Sequence, residues 1–249
     1  MGAEIAKYRF LQEQAVYTKF DTSVATATDI AAENAIREFL SLRFSSIGFE
    51  GEETGVILGA VDLRWRVDPI DGTDNYVVGI PVFSTSVALV SKEKCLCGAI
   101  VNPITNQVFT VDQTSGARIN GEPLSAKAPG DRRHKRVAFI PDYSSKQNAF
   151  VKLLLEALRG SVFRVIDSWA PALDWCSLAS GRFDAILQVA SSPAVPNVGY
   201  LLAREAGAIL KEITIERSDL AHLHLIVAAT TDAGCSELEE LINTSMDKV

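Results

Sequence analysis

Five carboxylates, Glu52, Glu53, Asp68, Asp71 and Asp74, fall within one short stretch, and carboxylates this dense need cations or open water. In the run VDPIDGTDN, Asp68 and Asp71 are separated by Pro69 and Ile70, and a proline and a glycine in so short a turn fix its shape. The two aspartates can then converge on hard divalent ions, with carbonyls such as that of Ile70 adding oxygen ligands; magnesium is the natural candidate. Gly72 and Thr73 follow directly. A helix starting there would turn unpaired N–H groups and its positive end toward a phosphate, with glycine permitting close approach. A threonine hydroxyl can hold an attacking water while an acid elsewhere takes the proton, so the chemistry indicated is metal-assisted attack of water on a phosphoester. The same residues also suit a plain acidic turn with an aspartate cap, and composition does not choose between the two.

Helical spacing runs from about Ala3 to Phe20. After the break at Asp21-Thr22-Ser23, a second helix is expected, capped by Thr26 or Thr28, with Ile30, Ala31, Ile36, Leu40 and Leu42 as its apolar stripe. The carboxylate-rich stretch reads as turns between short strands. FSTSVALV, CLCGAIV and QVFTV, joined by the turn candidates SKEK and NPITN, predict an antiparallel meander. The second half alternates: strand VAFI, helix from Lys146 to Leu158, strand VFRVI, helix PALDWCSLAS, strand FDAILQV, helix GYLLAREAG, strand LIVAAT and a closing helix from Ser236 to Ile242. One unit over residues 1–249 is expected, with lobes 1–130 (helices, antiparallel sheet and metal site) and 131–249 (α/β), the joint falling near Ala126 to Lys135.

The chain has 249 residues, 47% of them apolar and 22% charged, which is enough for a sizeable core and far from the signature of disorder. A net charge of −7 argues against a nucleic-acid backbone or an anionic membrane as partner, and the basic run DRRHKR reads as a solvated loop. No apolar run reaches the roughly 18–20 residues that span a bilayer, and the N-terminus is charged where a signal peptide is apolar, so a cytoplasmic protein is expected. Cys95, Cys97, Cys176 and Cys235 lack metal-ligand spacing and read as buried free thiols; His134, His222 and His224 read as structural or solvated.

The run DPIDGT, with GEE about sixteen residues upstream, resembles the signature of the inositol monophosphatase superfamily, and TATD and EAG occur in the matching order. The similarity extends over almost the whole chain. It implies an α+β fold, the layered αβαβα sandwich of sugar phosphatases, and a magnesium-dependent phosphomonoesterase acting on a small phosphorylated metabolite such as inositol monophosphate or fructose 1,6-bisphosphate. Two or three Mg²⁺ ions and a homodimer are implied with it.

Carried over residue by residue, Glu52, Asp68 and the Ile70 carbonyl would bind the first ion, and Asp68 with Asp71 would begin the second site. Gly72 and Thr73 would contact phosphate through their N–H groups. Asp29, in VATATDIAAENAI, would bond Thr73, and Asp29, Thr73 and Glu52 would activate the water. Glu53 and Asp74 would be supporting residues. The resemblance fails at one point: the aspartate that closes the second site, about ten residues before EAG, falls on Val195, or on Pro196 with a one-residue slip, and Asn197 is the nearest polar oxygen. The second ion should be weakened. Gln188 stands where inositol-selective members carry a glutamate. Two readings stay open: a working phosphatase with a higher metal requirement, or an impaired family member that binds a phosphorylated ligand.

Overall fold

The computed structural model describes residues 1–19, 22–92, 94–127, 134–192, 197–217 and 221–248. Its residues cluster into two compact units, Met1–Leu124 with Trp169–Leu173 and Pro196–Glu205, and Ser125–Ser168 with Asp174–Val195 and Ala206–Val249. The class is α+β, as expected. No helix among the described residues is long and apolar enough to cross a membrane.

The first unit opens with α1 (Gly2–Arg9), β1 (Val16–Thr18), β2 (Val24–Thr26) and α2 (Ala27–Arg43). The expected helix to Phe20 is therefore overturned. It stops at Arg9, Leu11 takes a left-handed φ of 66°, and Val16 to Thr18 pair with Val24 to Thr26 instead; Phe20 lies outside the described residues. Thr26 caps α2 in a capping box with Asp29. The apolar stripe also needs correction: Ile30 and Leu42 are exposed, and the inward face is Thr28, Asp29, Ala32, Glu33, Ile36 and Leu40. Two acids thus lie on the buried side of α2, where an isolated charge is costly.

Next come β3 (Gly48–Gly51), β4 (Gly55–Ile57), β5 (Arg64–Asp71), α3 (Thr73–Val78), β6 (Ser84–Ser91), β7 (Lys94–Asn102), β8 (Gln107–Asp112), β9 (Gly116–Ile119) and β10 (Glu122–Pro123). They form one sheet in the order β10-β9-β8-β7-β6-β5-β3-β4, with the expected meander at β6 to β8 and one parallel pair, β3 with β5. Val67 and Val87 turn toward Ile36 and Leu40 of α2. Ala88, the next residue, pairs with Gly98, which therefore faces the other way. There the sixth helix of the chain, α6 (Val198–Glu205), lies against β7, so the sheet has helices on both faces.

Gly98 makes this seat possible. A Cβ on it would stand 2.6 Å from Val198 Cγ2 and 2.7 Å from the Val87 carbonyl oxygen. Gly98→Ala should cost about 1–3 kcal/mol through overpacking and lower the Tm by ~2–10 °C, read by thermal unfolding. An unchanged Tm would mean that α6 is not seated there.

The second unit holds β11 (Arg136–Pro141), α4 (Ala149–Ser161), β12 (Arg164–Ile166), most of α5 (Pro171–Ala179), β13 (Ala185–Ala190), β14 (Ile209–Arg217), β15 (Ala221–Ala229) and α7 (Asp232–Met246). The strand order is β12-β11-β13-β15-β14, parallel across β12, β11 and β13 and antiparallel beyond. One face carries α4 and α7, packed with Phe139, Leu187 and Leu225 around Phe150, Leu154 and Ile242. Three expectations shift. α4 starts later than Lys146 because the Asn148 side chain caps it by accepting from Phe150 N and Val151 N. α7 starts earlier than Ser236, at a Thr231 cap. β14 was not expected; it is an edge strand whose isoleucines, Ile209, Ile213 and Ile215, are interrupted by the charged pair Lys211 and Glu212.

Candidate metal and phosphate site

Asp68 and Asp71 are three apart, and in a regular strand such residues point to opposite faces. Here β5 is bulged. Asp68 pairs with Ser86 and Asp71 with Ser84, so two steps on β6 match three on β5. Ser84 and Ser86 share a face, and their partners therefore do too. Pro69 sits in the bulge, where its missing N–H does no harm, and its carbonyl accepts from Thr85 Oγ1 at 2.8 Å. The sequence suggested a turn; a strand irregularity brings the aspartates together instead.

Glu52 arrives by the parallel pairing. Gly51 lies beside Val67, and Glu52 N donates to the Val67 carbonyl at 3.2 Å, which sets Glu52 next to Asp68. Gly72 has φ 90° and ψ 39°, and a Cβ there would meet the Val82 carbonyl oxygen at 2.9 Å, so both conformation and space require glycine. Thr73 then begins α3. Its hydroxyl donates to the Ile70 carbonyl at 2.8 Å and lies 3.4 Å from Asp29 Oδ1. The other Asp29 oxygen accepts from Thr26 N at 2.8 Å and Thr26 Oγ1 at 2.5 Å. Asp71 Oδ2 accepts from Ala172 N at 3.1 Å, in the first turn of α5, and from Ser84 Oγ at 3.3 Å.

Burial, then the charges of Glu52, Asp71 and Asp29, push the Asp68 carboxyl well above the usual range, and Glu52 stands close enough to share a proton with it. Asp71 rises to about 7 because burial outweighs the Ala172 N–H, and Asp29 rises to about 6 because burial outweighs its bonds from Thr26. Lys19 supplies one cation, its Nζ 2.6 Å from Glu52 Oε1 and 2.6 Å from Glu53 Oε1. Burial lowers the Lys19 pKa, but the two glutamates raise it more.

Among the described residues no three His, Cys, Asp or Glu side chains already stand as a metal cage. The donor chemistry nonetheless fits a hard divalent ion. Asp68 Oδ1 is buried with no hydrogen-bond partner among the described residues, and such an oxygen is what a hard cation satisfies.

Sequence reading missed two of these groups. Glu33, which accepts from Glu53 N at 2.8 Å and Thr54 N at 2.7 Å, could have been found from its i+4 spacing to Asp29. Lys19 gave no signal, being a lone lysine distant in sequence from both partners.

The profile of the inositol monophosphatase family matches residues 1–248. The chain belongs to the inositol monophosphatase family. Among curated relatives, a fructose-1,6-bisphosphatase/inositol-1-monophosphatase of Aquifex aeolicus is 26% identical over 84% of this chain and 80% of its own length. A Nus factor SuhB of Pasteurella multocida is 30% identical over 92% of this chain and 86% of its own. Among solved structures, the extragenic suppressor protein SuhB of Bartonella henselae superposes with a TM-score of 0.82 at 26% identity, covering 97% of this chain and 93% of that one.

Of the positions where the sequence resemblance was expected to fail in this inositol monophosphatase family member, two are described. Asn197 Oδ1 accepts from Tyr200 N at 2.8 Å and so caps α6. Gln188 Oε1 accepts from Nε1 of the buried Trp175 at 3.1 Å. Asp184 is structural, its carboxylate accepting from Arg136 N at 2.8 Å and its carbonyl from Thr230 N at 3.0 Å. Val195 and Pro196 lie outside the described residues, as do Asp131 to Arg133 of the basic run.

Proposed function

We propose that this protein is a magnesium-dependent phosphomonoesterase for a small phosphorylated metabolite, with inositol monophosphate and fructose 1,6-bisphosphate as the leading candidates. The observation that carries the reading is the β5 bulge, which turns Asp68 and Asp71 to one face, with Asp68 Oδ1 buried and without a hydrogen-bond partner among the described residues. Glu52, Asp68, Asp71 and the Ile70 carbonyl would hold the ions. When bound, Mg²⁺ supplies charge to the phosphoryl oxygens and acidity to water. The chain's own residues do the rest. The start of α3, at its positive end beside Gly72, would receive the phosphate. Thr73 and Glu52 orient the water. As the water attacks phosphorus its proton moves toward Thr73 Oγ1, whose hydroxyl turns from the Ile70 carbonyl to pass its own proton to Asp29 Oδ1, and the P–O bond to the leaving group breaks, the departing alkoxide taking a proton from solvent. Asp29, held up to about 6, is basic enough to accept that proton near neutrality.

A second reading rests on a specific observation. The family's closing aspartate is absent from the sequence at Val195 and Pro196, and Asn197 spends its side-chain oxygen on the cap of α6. An impaired phosphatase that binds a phosphorylated ligand accommodates this. Phosphate release from inositol 1-phosphate, fructose 1,6-bisphosphate and 3′-phosphoadenosine 5′-phosphate, followed against Mg²⁺ concentration, separates the two. Turnover of one compound supports the phosphatase; ligand-induced thermal stabilisation without release supports the binding protein. On the phosphatase reading, Val195→Asp should lower the Mg²⁺ needed for half-maximal release by about tenfold, since Mg²⁺ sites depend on few anionic ligands. An unchanged Mg²⁺ requirement would place the missing ligand elsewhere.

A further inference from the structure

Three polar side chains of α2, Asp29, Glu33 and Arg37, stand at i, i+4 and i+8, one above the other along a single ridge. Asp29 faces the Thr73 hydroxyl. Glu33 is fully buried and divides its two oxygens between consecutive N–H groups, Oε2 accepting from Glu53 N at 2.8 Å and Oε1 from Thr54 N at 2.7 Å. Arg37 Nη1 reaches Thr54 Oγ1 at 3.5 Å, and Nη2 donates to Asn34 Oδ1 at 2.7 Å. The sheet makes room for this clamp. A Cβ on Gly51 would fall 2.2 Å from Glu33 Oε1, so only glycine before the turn leaves the carboxylate its place.

We propose that Glu33 is a positioning residue for the ion-binding turn: it ties residues 52–54 to the helix that also holds Asp29, and so fixes Glu52 relative to Asp68 and Thr73. The inference rests on the reading of Glu52 as an ion ligand. A carboxylate accepting two backbone N–H groups holds a turn in one orientation, and a free hairpin tip would let Glu52 follow Lys19 toward solvent. A glutamate is needed because the turn lies one side-chain length from the helix, and an amide at the same place would present an N–H to an N–H.

The test is calorimetric Mg²⁺ binding, with circular dichroism to confirm folding. Glu33→Gln should raise the Mg²⁺ dissociation constant by ~10–100-fold, the range seen when a group supporting a metal ligand is lost. Phosphate release at saturating Mg²⁺ should fall by a smaller factor. Gly51→Ala should give the same weakening without removing a charge, by pushing the carboxylate off the turn, and serves if Glu33→Gln does not fold. Ile36→Val loosens α2 in its apolar contacts alone and should leave Mg²⁺ binding unchanged. If the wild type binds Mg²⁺ and Glu33→Gln or Gly51→Ala, folded, binds it as tightly as Ile36→Val does, Glu33 only holds the fold and the inference is wrong. If the wild type itself binds no Mg²⁺ at millimolar concentration, the ion-site reading falls, and the role given to Glu33 falls with it.

Discussion

Asp68→Asn should abolish turnover and, in the same molecule, stabilise the protein measured without Mg²⁺. On the proposed reading Asp68 would hold both ions, and a bound divalent ion contributes several kcal/mol to phosphoryl transfer, so a loss of ~10³-fold or more is expected. The stability effect follows from the surroundings. Asp68 Oδ1 is buried without a hydrogen-bond partner among the described residues, and Glu52, Asp71 and Asp29 all disfavour the carboxyl's charge. Asparagine keeps the shape, removes the charge and offers an N–H₂ to the Glu52 carboxylate. A gain of about 1–3 kcal/mol, or ~2–10 °C in Tm, is of the size expected when a site kept for function is relieved of its strain. A folded Asp68→Asn protein with a lower Tm in EDTA would show that the carboxylate has a stabilising partner and would remove the main argument for an ion there.

The stabilisation given by Mg²⁺ should grow steeply with pH. Asp29 and Asp71 titrate at about 6 and about 7 in the fold against a reference of 3.8, so between these limits the folded protein binds more protons than the unfolded chain. Raised carboxyl pKa values make stability fall as pH rises through that window, and the ion-free protein is therefore penalised from about pH 4 to about pH 7. Ions require the deprotonated ligands, so their binding tightens over the same range. The Tm shift produced by saturating Mg²⁺ should be small at about pH 5 and reach ~5–10 °C at about pH 8. Asp142 acts with the opposite sign. Burial pushes it up, but bonds from Ser191 and Ser145 outweigh burial and hold it below its usual range, so it adds stability above the unfolded pKa that is lost on acidification. Comparing the protein with and without Mg²⁺ at each pH cancels that contribution. Equal shifts at about pH 5 and about pH 8 would mean that Asp71 does not hold the ion.

The carboxylates proposed to hold the ions stood out in the sequence because they lie in two short runs, GEE and DPIDGT. Their geometry was less legible. Alternation would have set Asp68 and Asp71 on opposite faces, and only the pairing with Ser84 and Ser86 shows the bulge that reverses this. Glu33 sits between Ala32 and Asn34 in a helix with exposed polar residues nearby, and it looks like a solvated side chain until the Glu53 and Thr54 N–H groups are placed above it. Ile30 and Leu42 misled in the converse way, since an apolar stripe was assumed where α2 turns two acids inward. β14 was hidden because an edge strand tolerates charged residues such as Lys211, Glu212 and Glu216, which in sequence resemble a surface loop.

The first unit is not contiguous. Its main body ends at Leu124, yet Asp71 takes its N–H from Ala172, 101 residues further on, and the sheet face around Gly98 is covered by Val198 of α6. On the ribosome, a chain emerging at about 5–20 residues per second would expose the bulged strand and its carboxylates for several seconds before the segments that complete them exist. The first unit therefore cannot be completed from its N-terminus in order: more than two-thirds of the chain must be made before Asp71 gains the Ala172 N–H, and α6 follows later still.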